Sequence, residues 1–499
     1  MSPSATGGQL PVLVLFRNDL RVADNGALWA ASQTNKPVLA AYVHDDQSKG
    51  VRACGGASLW WLHHSLKALD RKLNALGIRL VLQRGATHSV VDDLIEKTGA
   101  DTVFWNRRYE PAWVAADTTM KSALRARDVR AESFDGELLH EPSKLTTGAG
   151  SFYKVYTPFW KSLTSGPEPR DPIDPPKSLA AFCGTVASLS LDELVPLPTR
   201  PDWAGGMRES WTPGEDGAQA LLDEFLEHGL DGYAEGRDFP DRTASSRLSP
   251  HLAHGEITPY QLFAALRDRK FQALDDDTAK FRKEVAWREF CRHLLFHNPA
   301  LHDTNFQPSF DAFPWVTDKK ALRAWQRGMT GYPIVDAGMR ELWHTGAMHN
   351  RVRMIAASFL TKHLMIDWRE GERWFWDTLV DADPGSNPAN WQWVAGSGAD
   401  ASPYFRIFNP TLQGQKFDPD GGFVRRFVPE LAKLPDRYLH TPWDAPKAVL
   451  AEAGVALGET YPKPVGELPQ RFFFFLHMIA LAEGQHTRFV DGHQPRHAT

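Results

Sequence analysis

A change of hydrophobic period between the two parts of this chain constrains its fold most. Short apolar runs at 12–16, 38–43, 79–82 and 102–105 read as buried strands, and 59–76, 90–97 and 115–127 carry helical spacing between and after them. That alternation predicts an α/β domain over residues 1–140, a Rossmann-like, doubly wound parallel sheet with helices on both faces. Its ligand crevice would lie beyond the carboxyl ends of the strands. Neither G-x-G-x-x-G nor G-x-x-x-x-G-K follows the first strand, which runs instead into Arg17-Asn18-Asp19-Leu20-Arg21. A dinucleotide phosphate site of the usual kind is therefore not expected there.

Residues 141–213 form a connector rich in proline, with Pro167, Pro169, Pro172, Pro175, Pro176, Pro196, Pro198, Pro201 and Pro213. Scattered apolar residues such as Phe182 and Val195 predict that it wraps over the surface. From 214 to 499 the period is helical, with helices drawn at 217–228, 258–269, 278–297, 319–328, 333–344, 351–364 and 370–380. The second part thus reads as an all-helical domain.

Composition narrows the classes of function. At 499 residues the chain is long enough for two or three domains. No apolar run approaches the roughly 20 residues of a membrane span, so a soluble protein with no membrane partner is expected. The start MSPSATGGQL lacks a secretory layout, and Cys54, Cys183 and Cys291 are widely spaced, which points to a reducing cytoplasm. No His/Cys spacing suggests a metal site. Net charge is -5, so any binding of nucleic acid must come from a local patch.

Four constellations carry chemistry. The segment Asp381-Ala-Asp-Pro-Gly-Ser-Asn-Pro-Ala-Asn-Trp-Gln-Trp393 gathers acids, amides and two indoles, and Pro384, Gly385 and Pro388 predict a loop rather than a helix through it. Such a loop suits a planar ligand, although a proline-ended loop with core tryptophans would look similar. Ala244-Ser-Ser-Arg-Leu-Ser249, with Tyr233 and Arg237 before it and Pro250 after it, supplies hydroxyls, backbone N–H groups and a guanidinium for phosphate. On the next long helix Glu284, Trp287, Cys291 and Leu294 share a face. In Met348-His-Asn-Arg-Val-Arg-Met354, Asn350 and Met354 share a face, and Arg351 and Arg353 need acidic partners if buried, with Asp381 and Asp383 as candidates. His349 reads as a structural histidine.

These segments together resemble the photolyase/cryptochrome family along nearly the whole chain. The matching motifs are FRNDLR at Phe16, YKVYTPFW at Tyr153, SSRLS at Ser245, WREFCRH at Trp287, GYPIVDAGMR at Gly331, MHNRVRM at Met348, DWREGER at Asp367, WQW at Trp391 and PYFRIFNP at Pro403. Within the family the chain is most similar to bacterial cyclobutane pyrimidine dimer photolyases. The resemblance implies an antenna domain, a helical domain holding FAD, and light-dependent repair of pyrimidine dimers in ultraviolet-damaged DNA.

The resemblance further implies that Tyr233, Ser245, Ser246, Arg247, Leu248 and Ser249 hold the diphosphate and ribityl end of FAD. Asn387 would face flavin N5, with Asp381 and Asp383 near the isoalloxazine and ribose and Arg353 paired to Asp381. Glu284, Trp287, Asn350, Met354 and Trp393 would line the lesion pocket. Trp391, Trp368 and Trp315 match the family's electron-hopping tryptophans. Arg237, Arg242, Lys283, Arg351 and Arg406 are available for the phosphates beside the lesion. Glu284 would hydrogen-bond the dimer and stabilise its charge, best if burial raises its pKa.

Some departures and alternatives bear on function. The phosphate motif starts at Ser245 where many relatives have Thr, and Ala347 stands where many have Trp. Asn106 and Glu110 match the antenna-contacting segment, favouring 5,10-methenyltetrahydrofolate over an 8-hydroxy-deazaflavin. A cryptochrome-type photoreceptor would use the same fold, but Asn387 and the short end after the helical domain speak against it. A (6-4) photolyase would place histidines at Asn350 and Met354. A monomer in the bacterial cytoplasm, associated with the nucleoid through DNA, is expected.

Overall fold

The computed structural model describes residues 9–268, 276–401 and 407–465. Five parallel strands, β1 (Val12–Phe16), β2 (Val38–His44), β3 (Leu80–Arg84), β4 (Thr102–Asn106) and β5 (Arg130–Phe134), stand in the order β3-β2-β1-β4-β5. The order reverses between β1 and β4, the switch point of a doubly wound sheet. Alternate residues of β1 serve opposite layers. Val12, Val14 and Phe16 pack with Leu28 and Leu66 of helices α1 (Gly26–Ser32) and α2 (Gly56–Ala75). Leu13 and Leu15 pack with Val91, Leu94, Met120 and Leu124 of α3 (Thr87–Thr98) and α4 (Pro111–Arg125). That two-sided burial is why β1 reads as a continuous apolar run.

The connector is tied to this sheet. The Val38 N–H donates to the Ala180 carbonyl at 2.7 Å, the Leu189 N–H donates to Leu82 at 2.9 Å, and Leu179, Leu194 and Val195 enter the core beneath α2. Beyond it the described chain is helical, built around a core of residues such as Trp325, Val335, Ile355, Leu360, Trp368 and Phe375. Two helices widen into π turns, Phe225–Gly229 and Phe359–His363, which is where the expected segments 217–228 and 351–364 run on past their α-helical parts.

One expectation is overturned. The segment holding Pro384, Gly385 and Pro388 is not a loop throughout, because a helix runs over Ser386–Ala395. Pro388 is its third residue, within the first turn, where the missing N–H has no intrahelical partner to lose. Pro384 and Gly385 precede the helix, and Gly396, at φ 103°, ends it.

Candidate functional site: an indole pair and a hydroxyl-rich turn

Asp383 organises the Ser386–Ala395 helix. One carboxylate oxygen accepts from the N–H groups of Gly385 and Ser386 at 2.9 and 2.6 Å, and the other pairs with Arg292 at 2.9 Å. Burial raises the proton affinity of Asp383, but Arg292, Arg288 and those two N–H groups outweigh it and hold the carboxyl below its ordinary range. Arg292 is wholly buried on the Asp276–His297 helix and also meets Glu110 and Glu137 of the first domain, each at 2.9 Å. A single cation thus joins three carboxylates. The arrangement escaped sequence reading, whose only signal was a cation on a buried helix face.

The expected pairing of Arg353 with Asp381 is present at 2.8 Å, and Ser249 Oγ donates to the same carboxylate at 2.7 Å. Asp381 thereby fastens the Asn350–Ser358 helix to the Ser245–Ser249 turn. Arg351 takes a different partner, Asp238 at 2.6 Å, rather than Asp381 or Asp383. His349 caps the Asn350–Ser358 helix, its Nδ1 accepting from the Arg351 N–H at 3.3 Å.

In the hydroxyl-rich turn, Arg247 has φ 55° and folds the backbone back on itself. Among the described residues, no backbone N–H from Ser245 to Arg247 is engaged, and Ser245 and Ser249 are exposed. Gly236, at the end of the Tyr233–Gly236 helix, abuts Ala244 so closely that an added Cβ would stand 2.8 Å from the Ala244 Cβ. The helix carrying Tyr233 is therefore pressed against the turn. Two side chains of the turn are engaged elsewhere. The Arg247 guanidinium lies over Trp211 at 4.4 Å and donates to the Ser210 carbonyl, so it is committed away from the turn. Leu248 is buried with Phe225 and Phe281 and offers only its backbone.

Glu284, Trp287 and Trp393 come together across two helices. The indoles of Trp287 and Trp393 meet edge to face with centroids 6.4 Å apart, and Trp287 Nε1 donates to Asn390 Oδ1 at 2.9 Å. Asn350, exposed, and Met354, half-buried, stand on the neighbouring helix. Glu284 reaches both solvent and an arginine rather than being enclosed. Its side chain is one-third exposed and paired with Arg237 and with Lys280, the latter at 3.2 Å. Arg237 is thus held by Glu284 rather than free for phosphate, and Arg406 lies outside the described residues.

Trp391 is buried against Gly371, one turn along the Trp368–Thr378 helix from Trp368, and an added Cβ at Gly371 would stand 2.1 Å from its ring. Trp368 is fully buried, its Nε1 donating to Asn305 at 2.9 Å. Trp315 packs on Phe313, and the neighbouring Val316 N–H donates to Met365, three residues before Trp368. The ring contacts of Trp391 are with Trp325 and Phe375, at 6.1 and 5.0 Å.

Asn387 is buried, and its Nδ2 donates to both the carbonyl and the Oε1 of Glu372, at 3.0 and 2.8 Å. Glu372 in turn takes both arms of Arg52, at 2.7 and 2.8 Å. Sequence reasoning missed Arg52 and Glu372, whose pairing spans 320 positions, although Glu372 and Asn387 are only 15 apart. At the sheet's switch point the expected crevice is filled. Asn106 is buried, with Nδ2 donating to Asp19 and Asn25 and Oδ1 accepting from the Ala27 N–H, so both of its amide hydrogens are committed within the domain. Glu110 retains one unpaired oxygen beside its contact with Arg292.

Two family models match the chain, "DNA photolyase" over residues 12–177 and "FAD binding domain of DNA photolyase" over residues 281–476. It is 57% identical to a deoxyribodipyrimidine photo-lyase of Agrobacterium fabrum, over 91% of this chain and 94% of that one. It is 38% identical to cryptochrome-1 of Arabidopsis thaliana, over 91% of this chain and 68% of the other. Its fold matches the crystal structure of a bacterial class III photolyase from Agrobacterium tumefaciens with a TM-score of 0.93 and 55% identity, covering 97% of this chain and all of that one.

Proposed function

The chain belongs to the DNA photolyase family, and on that footing we propose that it is a deoxyribodipyrimidine photo-lyase, using light to split cyclobutane pyrimidine dimers in DNA. The observation that carries this reading is the pair of Trp287 and Trp393, which stand edge to face, with Glu284 one turn from Trp287 on the same helix and Asn350 and Met354 on the Asn350–Ser358 helix. Two flat apolar walls with polar groups on one side suit a pair of joined bases turned out of the helix. A cyclobutane dimer stacks and pairs poorly, so photolyases extrude it at less cost than an intact base.

The donor set fits FAD. Exposed hydroxyls at Ser245 and Ser249, the unengaged N–H groups of Ser245 to Arg247, and the anchored Asp381–Arg353 pair beside them suit a diphosphate and its ribityl chain. Tyr233, Ser246, the Leu248 backbone, Asp383 and Asn387 complete the group of residues that would hold it. A reduced flavin bound there would supply the light-driven electron that opens the cyclobutane ring, and would take it back afterwards. The protein orients and shields. Trp287 and Trp393 exclude water from the dimer faces, and Asn350 presents an amide that reads base edges. The Glu284 carboxylate accepts from a base N–H once the dimer competes with Arg237 and Lys280. The exposed Lys283 is available for phosphates flanking the lesion, and Arg351 would join it on exchanging its Asp238 partner. Trp391, Trp368 and Trp315 provide a route for reducing the cofactor from the surface.

For the antenna we favour 5,10-methenyltetrahydrofolate over an 8-hydroxy-deazaflavin. The switch-point crevice, lined by Asp19, Arg21, Asn106, Arg108 and Glu137, retains only about 10 Å³, room for a water rather than a chromophore, so this preference rests on the resemblance of the segment at Asn106 and Glu110. Action on chromosomal DNA as a monomer in the cytoplasm is the corresponding cellular reading. Blue-light repair of an oligothymidine carrying dimers tests the function directly. Light-dependent flavin reduction without repair would move the assignment to a cryptochrome-type photoreceptor.

A further inference from the structure

The loop following β2 reaches out of the first domain and locks onto the helix that carries Glu372. Trp376 Nε1 donates to the Ala53 carbonyl at 2.8 Å, the Gly56 N–H donates to Asp377 at 2.9 Å, and the Arg52 guanidinium stacks on Trp376 at 3.9 Å. Gly55 passes so near that an added Cβ would stand 2.1 Å from the Trp376 carbonyl oxygen. From this platform Arg52 grips Glu372 through both guanidinium arms. A planar fork on a carboxylate fixes direction as well as distance. Glu372 is almost wholly buried, and its held carboxylate and its own carbonyl both accept from Asn387 Nδ2. An amide can present either end to a neighbour. Here the donor end is committed twice to Glu372, and the carbonyl end Oδ1 is the one left to offer.

We propose that Arg52, a residue of the first domain, is a positioning residue for the flavin: through Glu372 it holds the Asn387 amide with its carbonyl presented to the cofactor, which favours the reduced flavin. The inference rests on the reading that Asn387 faces flavin N5. That nitrogen carries a hydrogen only when the flavin is reduced, so an acceptor fixed beside it stabilises reduced over oxidised cofactor. The first domain thereby takes part in setting the redox state on which repair depends.

The test is the flavin midpoint potential of the FAD-loaded full chain, measured by dye equilibration, with FAD content recorded for every variant. In R52Q the potential is expected to fall, with the oxidised-to-reduced ratio rising about fivefold at the wild-type midpoint, the weight of one net hydrogen bond. E372Q should move it the same way, and R52K should restore it in part. Combining R52Q with N387L should add nothing to N387L alone. An unchanged potential in N387L would show that Asn387 does not face the flavin and would remove the underlying reading. A shift in N387L with none in R52Q and E372Q would overturn the inference alone. A merely structural Arg52 would lower FAD content and leave the potential of the retained flavin unmoved.

Discussion

Trp287 and Trp393 stand edge to face, 6.4 Å between centroids, on helices that are separated by about a hundred residues of sequence and pinned together by the bond from Trp287 to Asn390. Neither indole is fully buried, so each retains a face to offer. Stacking of a base on an aromatic ring is worth about 1–3 kcal/mol. Trp393→Ala should therefore weaken binding of dimer-containing DNA by roughly tenfold or more, and of undamaged DNA far less. Fluorescence anisotropy with matched damaged and intact duplexes measures this, and equal losses would make the residue structural.

The placement of Trp391 against the turn holding Trp368 makes a second expectation concrete. Trp391→Phe should abolish photoreduction of oxidised flavin while leaving repair intact when the flavin is reduced chemically beforehand. Absorption spectra recorded under blue light, followed by a repair assay with dithionite-reduced protein, separate the two steps. Loss of repair in the pre-reduced enzyme would contradict the electron route.

Arg292 pairs with Glu110, Glu137 and Asp383, each at 2.9 Å, while Arg288 approaches Glu137 and Asp383 only at 3.8 and 4.0 Å. Removing one partner from a buried ionic cluster leaves uncompensated charge and costs about 3–5 kcal/mol. Arg292→Met should lower the melting temperature by several degrees and reduce retained FAD, since Asp383 loses its anchor. Differential scanning calorimetry and the ratio of flavin to protein absorbance report both effects.

His349 supplies a dependence on pH with a definite sign. Burial pushes its pKa down from 6.5 to about 4, with neighbouring arginines adding to the effect and Asp238 opposing it. The unfolded chain binds this proton below 6.5 and the folded protein only below about 4, so the stabilisation is complete above 6.5 and is lost as pH falls through that window. Protonation also removes the acceptor that caps the Asn350–Ser358 helix. His349→Asn keeps a capping acceptor without the titration, and its melting temperature should fall less than that of the wild type between pH 6.5 and 4. Parallel acid limbs for the two proteins would refute this.

The sequence revealed those elements whose burial is two-sided or regular. β1 is wholly apolar because both of its faces are covered, and it was placed to the residue. β5 was missed because Arg130-Ala-Glu-Ser-Phe134 is an edge strand in which only Ala131 is deeply buried. The Ser386–Ala395 helix was hidden by Pro388, whose position within a first turn cannot be told from a breaker without knowing where the helix starts. The Arg353–Asp381 pair and the joining of Trp287 with Trp393 were legible through the family resemblance. The helix face of Glu284 was legible, but its partners were not, because Arg237 stands on a separate element and Lys280 one turn back competes for the same carboxylate. The contacts among Arg52, Glu372 and Asn387 join distant parts of the chain, and no local period reports them.

The central claim, that the site at the indole pair takes a pyrimidine dimer for repair, is tested most directly by following thymine absorbance in a dimer-containing oligothymidine under blue light with the FAD-loaded, reduced protein. Recovery of that absorbance in the light, and none in the dark, is the predicted result. Flavin that is bound and reduced while thymine absorbance stays flat would contradict the account.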